Sequence, residues 1–185
     1  MKIKNINGYK KQAGATLLEL TMVVGIIAVI SIAAISYYNT VNNANKVKDE
    51  VNNINSLSAS IRNMFNSQGS YEGLENKIIL KSSSFPDRMR VNQTDFVNIK
   101  NSWLNAGVTV ASTNIMGTAH DGFTITYTGV PQKSCFDLLS QTIRHYYVNV
   151  GGGAWAEKGN RVDTMAEVDA YCSKAEDNTM VFTTR

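Results

Sequence analysis

The chain has 185 residues, 43% hydrophobic and 18% charged, with a formal net charge of +3; these proportions suit one modest folded domain with additions. The charge is lopsided: Lys2, Lys4, Lys10 and Lys11 stand among the first fourteen residues without an acid, and the remainder carries 14 basic residues against 15 acidic. With no basic stripe outside that tail, a nucleic-acid-binding function loses its support.

After the lysines comes Gly14, and then residues 15–38 read ATLLELTMVVGIIAVISIAAISYY. Glu19 is the only charge before Lys46. The run is long enough to cross a bilayer, which takes about 20 apolar residues. The lysines in front favour a cytoplasmic N-terminus and export of the rest. A secretory signal would be cut at small residues after the apolar run. A cut before Asn39 puts Tyr38, a poor choice, at the cleaved position, and a cut after Ala34 leaves Glu19 without an account. An ordinary signal anchor has no use for that carboxylate, which costs about 2.5–3.5 kcal/mol at mid-bilayer and less near its edge. Glu19 is therefore a candidate functional residue.

Lysines, then Gly14, then Ala15-Thr16-Leu17-Leu18-Glu19, then an unbroken apolar run: this order resembles the class III signal of type IV prepilins. In that family a glycine precedes a mature N-terminus whose fifth residue is glutamate. The resemblance implies cleavage between Gly14 and Ala15 by prepilin peptidase, N-methylation of Ala15, and a role for Glu19 in assembly. Ala15 departs from the larger apolar residue usual at the first mature position. The expected organisation is a leader at 1–14, a transmembrane and filament-core helix at 15–38, and an exported head at 39–185 that includes the second half of the same helix.

The helix is expected to continue past the membrane. Val47, Val51, Ile54, Leu57, Ile61 and Met64 or Phe65 recur at spacings of three and four, with Lys46, Lys48, Asp49, Glu50 and Arg62 mostly between them; that is an amphipathic pattern. No proline lies between residues 15 and 66, so one helix of about 78 Å is allowed at 1.5 Å per residue. Asn39, Asn42, Asn43 and Asn45 are mediocre helix formers and predict a bend or soft spot. Gly69 is the expected C-cap. Residues 70–106 read as a connection holding Ile78-Ile79-Leu80 and the turn signal Ser84-Phe85-Pro86-Asp87. Val108-Thr109-Val110 and the alternating 122–128 segment read as strands, with Asp121-Gly122 turning into the second. Pro131 is expected at the first position of a helix presenting Cys135, Leu138, Leu139, Thr142, Ile143 and Tyr146 on one face. A flexible Gly151-Gly152-Gly153 loop, a short helix over 164–173 and a closing strand over 179–183 complete the pattern.

Cys135 and Cys172 have neither CxxC spacing nor a Cys/His cluster around them, so a zinc site is not expected. In an exported chain such a pair reads as one disulfide; two buried free thiols would be the reading in a cytosolic one.

The later part also resembles type IVb pilins, especially bundle-forming pilins and the pilins of plasmid-encoded thin pili. The residues that carry this are Ser70-Tyr71-Glu72-Gly73-Leu74 after the long helix, Phe123-Thr124-Ile125-Thr126 leading through Gly129 and Pro131 to Cys135, and the second cysteine shortly before the last strand. The resemblance implies an α+β fold: a ladle, whose long helical spine packs on an antiparallel sheet, with a C-terminal disulfide-bounded region.

Catalytic chemistry is not expected. His120 beside Asp121 reads as a turn residue and His145 as a helix-face residue; neither belongs to a ligand-spaced set such as HExxH. There is no GxSxG elbow, and Gly151-Gly152-Gly153 lacks the Lys-Ser/Thr of a phosphate loop. Glu157, Asp163, Glu167, Asp169, Glu176 and Asp177 lack an EF-hand pattern and read as a solvated face. Asn92-Gln93-Thr94 fits a glycosylation triplet that arises readily by chance. No cofactor or metal is expected. The expected function is a structural subunit of a type IVb-like pilus, held in the inner membrane and polymerised with identical subunits into an extracellular filament for adherence, aggregation or conjugative contact. Prepilin peptidase, an assembly platform and minor pilins are the other expected partners. The alternatives are a minor pilin or a type II secretion pseudopilin; pseudopilins often place a calcium-bound loop where this chain has its cysteine pair.

Overall fold

The computed structural model describes residues 16–143, 147–150, 162 and 164–185, with the backbone alone for 147–150. The expectations for Gly14, Ala15, His145, Tyr146, Glu157, Asp163 and the three-glycine loop lie outside the described residues. The chain divides into two units, Met1–Val41 and Asn42–Arg185.

One helix, α1 (Leu17–Phe65), contributes to both. It is helical through Asn39, Asn42, Asn43 and Asn45. It stops at Phe65, and Gly69, at φ +73°, donates its N–H to the Phe65 carbonyl at 3.2 Å. That is the left-handed cap the sequence signalled, at a φ that glycine adopts without a Cβ penalty.

In the first unit the helix has no cover: its apolar side chains are exposed from Leu17 to Val41. Its hydroxyls are satisfied locally. Thr21, Ser31 and Thr40 donate to the carbonyls of Leu18, Ile27 and Ser36 at 2.9, 2.8 and 3.1 Å.

In the second unit the helix is half-buried against an antiparallel sheet. The strands are β1 (Val108–Thr113), β2 (Gly122–Val130), β3 (Tyr147–Val150) and β4 (Asn178–Thr184), in the order β1-β2-β4-β3. Ile125 pairs with Val110 on one side and Phe182 on the other, and Tyr127 with Val108 and Met180. Side chains alternate across a strand, so Phe123, Ile125, Tyr127, Met180 and Phe182 share one face; all are buried. They form a single core with Val47, Ile54, Leu57, Ile61 and Phe65 of α1, while Val51 and Met64 pack at its margin. The strand expected over 179–183 is present, but it lies inside the sheet between β2 and β3.

Glu50 corrects the sequence reading. It was placed with the polar positions between the apolar ones, yet it is 1% exposed. The series 47, 50, 54, 57, 61 is itself spaced by three and four, so Glu50 falls on the buried stripe.

The connection after Gly69 is more ordered than its sequence suggested. It holds the four-residue helix α2 (Asn76–Ile79), a 3₁₀ turn at Asp87–Met89 behind Pro86, and bridges from Ile99 to Arg90 and Val108. Asn76 closes part of the outer edge of β1: its Oδ1 accepts the Val110 N–H at 2.9 Å, and its Nδ2 donates to Val108 and Val97 carbonyls, each at 3.1 Å.

Helix α3 (Gln132–Thr142) begins one residue later than expected. Pro131 is its N-cap, extended at ψ 151°, and accepts the Cys135 N–H at 2.8 Å. Cys135, Leu138, Leu139 and Thr142 are buried. Helix α4 (Met165–Tyr171) opens on a capping box in which Thr164 and Glu167 exchange bonds of 2.9 and 3.3 Å. A disulfide joins Cys135 on α3 to Cys172 at the end of α4, as the pair was read.

Candidate functional site

The stretch of this protein best suited to function is the uncovered half of α1. Leu17 is 81% exposed, and the segment is long and apolar enough to cross a membrane. A bare apolar surface of this size marks a membrane or a protein interface. Glu19 sits at its start, exposed, in the first turn of the helix. Its backbone N–H is bonded to Thr16 Oγ1 at 3.2 Å, one half of the Ser/Thr-x-x-Glu capping arrangement. An acid there also suits the positive end of the helix dipole. Among the described residues no ion pair includes Glu19.

The other notable carboxylate, Glu50, belongs to the head. Its Oε1 accepts from the Ser102 N–H at 2.7 Å and Ser102 Oγ at 2.6 Å. Its Oε2 accepts from Tyr127 Oη at 3.0 Å and Asn53 Nδ2 at 3.3 Å. The group ties helix, connection and sheet together. Reading the apolar stripe by its own spacing would have found it.

His120 is the turn residue its sequence context suggested. It has φ 56°, its Nδ1 lies 2.9 Å from Ser112 Oγ, and its carbonyl accepts the Tyr71 N–H at 2.8 Å. Asp121 shapes the same loop. The Ile115 N–H, at 2.5 Å, holds its carboxyl below the usual carboxylate range, helped by the Met116 N–H and Arg185 and opposed by desolvation. Asp95 is lowered likewise, by the N–H groups of Asn98 and Val97. No cluster of three or more His, Cys, Asp or Glu suited to a metal occurs among the described residues. Of the acidic residues expected on a solvated face, Asp169, Glu176 and Asp177 are exposed, while Glu167 is half-buried in the capping box of α4.

An uncovered apolar helix on an α+β head with a C-terminal disulfide is the arrangement implied by the type IV pilin resemblance. Residues 44–185 match the family model described as PilS N terminal. The chain belongs to the PilS N-terminal family. This PilS-family chain is 25% identical over 174 residues, 91% of its length and 87% of the relative's, to the major structural subunit of bundle-forming pilus of Escherichia coli O127:H6 (strain E2348/69 / EPEC). Identity and coverage are the same for the protein of that name from Escherichia coli O111:H-. Two solved structures share its fold. TcpA, a type IV pilin from Vibrio cholerae El Tor biotype, is 16% identical with a TM-score of 0.52, covering 76% of this chain and 99% of that one. The type IV b pilin from Salmonella typhi is 21% identical with a TM-score of 0.52, covering 73% and 97%. The PilS-family chain therefore has the fold of a type IV pilin, of type IVb-like kind.

Proposed function

We propose that this protein is a non-catalytic structural subunit of a type IVb-like pilus, anchored in a membrane by residues 15–38 and then polymerised with identical copies into an extracellular filament. The observation that carries the reading is the bare apolar half of α1 on a pilin-fold head: lipid covers it before assembly and neighbouring spines after. Prepilin peptidase cuts between Gly14 and Ala15, Ala15 is N-methylated, and an assembly platform with minor pilins adds the subunit to the fibre. The N-terminus stays cytoplasmic and the head is exported, as the leader lysines favour. In the fibre, the amine exposed at Ala15, a cation when unperturbed, pairs with Glu19 of a neighbouring copy, which fixes the axial step between spines. The pseudopilin alternative gains no support from relatives whose names are those of major pilus subunits. Electron microscopy of a deletion strain, with immunolabelling of shed fibres, tests the proposal. Loss of long fibres on deletion, and fibres that label for this chain on complementation, are expected; unlabelled or unchanged fibres would sink it.

A further inference from the structure

We infer that Tyr37 and Tyr38 set the depth at which the unassembled subunit sits in the bilayer, by lodging in the headgroup layer on the C-terminal side of the apolar segment; this rests on the membrane-anchored state proposed above. The two are adjacent on α1 and 74% and 68% exposed. A phenol has an apolar body and a hydroxyl that needs a wet partner, so its favoured place is the boundary between hydrocarbon and water. The length of the segment puts the pair at that boundary. Residues 17–36 make about 30 Å of helix at 1.5 Å per residue, the thickness of a hydrocarbon core.

Within that span Thr21 and Ser31 return their hydroxyls to the carbonyls of Leu18 and Ile27, so neither carries an unmet donor into lipid. The flanking charges complement anionic headgroups. Lys10 and Lys11 precede the span, Lys46 and Lys48 follow it, and no acid lies between Glu19 and Asp49; cations so placed are drawn to such a surface. The occupant of this face before assembly is accordingly a bilayer containing anionic lipid.

The consequence concerns Glu19. It precedes Tyr37 by 18 residues, about 27 Å of helix. With the phenols held at one boundary, the rigid helix delivers the carboxylate to the other, where water remains and an intramembrane charge costs least. Tyr37 and Tyr38 are thus positioning residues for Glu19, acting through the length of the helix between them.

The test uses the full chain in vesicles of phosphatidylethanolamine and phosphatidylglycerol, with bromines placed either high on the acyl chains or deep in them. The unsubstituted chain gives the background from Trp103 and Trp155. In Tyr38→Trp the new indole is quenched more by the shallow bromines, and in Ile27→Trp, at the centre of the span, more by the deep ones. Replacing both phenols by alanine in the Ile27→Trp chain shifts its quenching towards the shallow set by about one helical turn, roughly 5 Å. Stronger deep than shallow quenching of Tyr38→Trp overturns the proposal. So does an Ile27→Trp depth that the alanine pair leaves unchanged. If neither introduced tryptophan is quenched by either set, the membrane-anchored reading itself fails, and the depth assignment with it.

Discussion

The phenol of Tyr127 on β2 donates to Oε2 of Glu50 on α1 at 3.0 Å, across 77 residues of sequence. Both residues are buried, and the same carboxylate holds Ser102 from the connection between them. The bond fixes the helix against the sheet at one point along its length. Glu50→Ala removes the carboxylate to which the Ser102 N–H and hydroxyl, the Tyr127 hydroxyl and Asn53 Nδ2 all donate. A typical hydrogen bond contributes about 0.5–1.5 kcal/mol net, so loss of the four is expected to cost about 2–6 kcal/mol in denaturant unfolding of the detergent-solubilised chain. Tyr127→Phe removes one donor and leaves Glu50 with Ser102 and Asn53, so its loss should be smaller. Equal losses from the two variants would contradict the hub role of Glu50.

The Cys135–Cys172 bond closes a loop of sequence separation 37. Chain-entropy arguments give such a loop about 3–4 kcal/mol. Reduction, or Cys135→Ser with Cys172→Ser, should lower the melting temperature and cut the yield of subunit or fibre. A melting temperature indifferent to reductant would count against this.

Acid should loosen the β1–β2 loop. The carboxyl of Asp121 is held below its ordinary value, chiefly by the Ile115 N–H. A group whose folded pKa is depressed contributes stability that is fully present above its unfolded value, near 4, and is lost as pH falls through the folded value. Asp121→Asn should therefore flatten the stability profile below about pH 4. Hydrogen exchange of the Ile115 and Met116 amides, followed against pH, reads the effect at its source. A wild-type profile as flat as the variant's would remove Asp121 from the account.

Two roles for Glu19 separate cleanly. A capping box accepts glutamine in place of glutamate, whereas a pair with the Ala15 amine requires the charge. Removing one partner of a buried pair costs about 3–5 kcal/mol, repeated at every added subunit. Glu19→Ala and Glu19→Gln should both be processed normally and both give few or no fibres. Abundant fibres from Glu19→Gln alone would assign the residue to capping.

Processing has a mass signature. The mature protein should begin at Ala15, leaving 171 of the 185 residues, with the added mass of one methyl group. Gly14→Val puts a Cβ and a branched side chain where the backbone must approach the peptidase closely, and should accumulate unprocessed precursor. A mature mass starting elsewhere would move the cut.

The elements legible in the sequence were those with a strong internal period. The three-and-four spacing from Val47 to Phe65 and the alternation from Gly122 to Thr128 each fix which side chains turn inward, and both faces are buried as that spacing requires. Gly69 was legible through its own backbone chemistry, whereas Thr164, expected inside a helix over 164–173, is its N-cap. What escaped was set by distant partners. Ile99 has no periodic neighbours and is buried because Arg90 and Val108 bridge to it. Asn76 reads as an ordinary loop amide until the edge of β1 is laid beside it. At the candidate site the uncovered apolar run with Glu19 at its start was legible because it is local, and the Thr16 to Glu19 bond escaped although its spacing was in plain view. The burial of Glu50 is hidden behind its charge, which ordinarily marks a solvent-facing position; only its place in the 47, 50, 54 series points inward.

The place of β4 between β2 and β3 bears on how the head matures. Residues 178–184 come last in sequence among the strands, yet both neighbours hydrogen-bond to them. A chain threaded outward from its N-terminus can close the β1–β2 hairpin early, since its partners lie close in sequence. The far edge of β2 then waits, open to strand addition by any other chain, until the final segment emerges and slots in. The interval between hairpin closure and arrival of β4 is thus the window in which a nascent subunit is most vulnerable to mispairing.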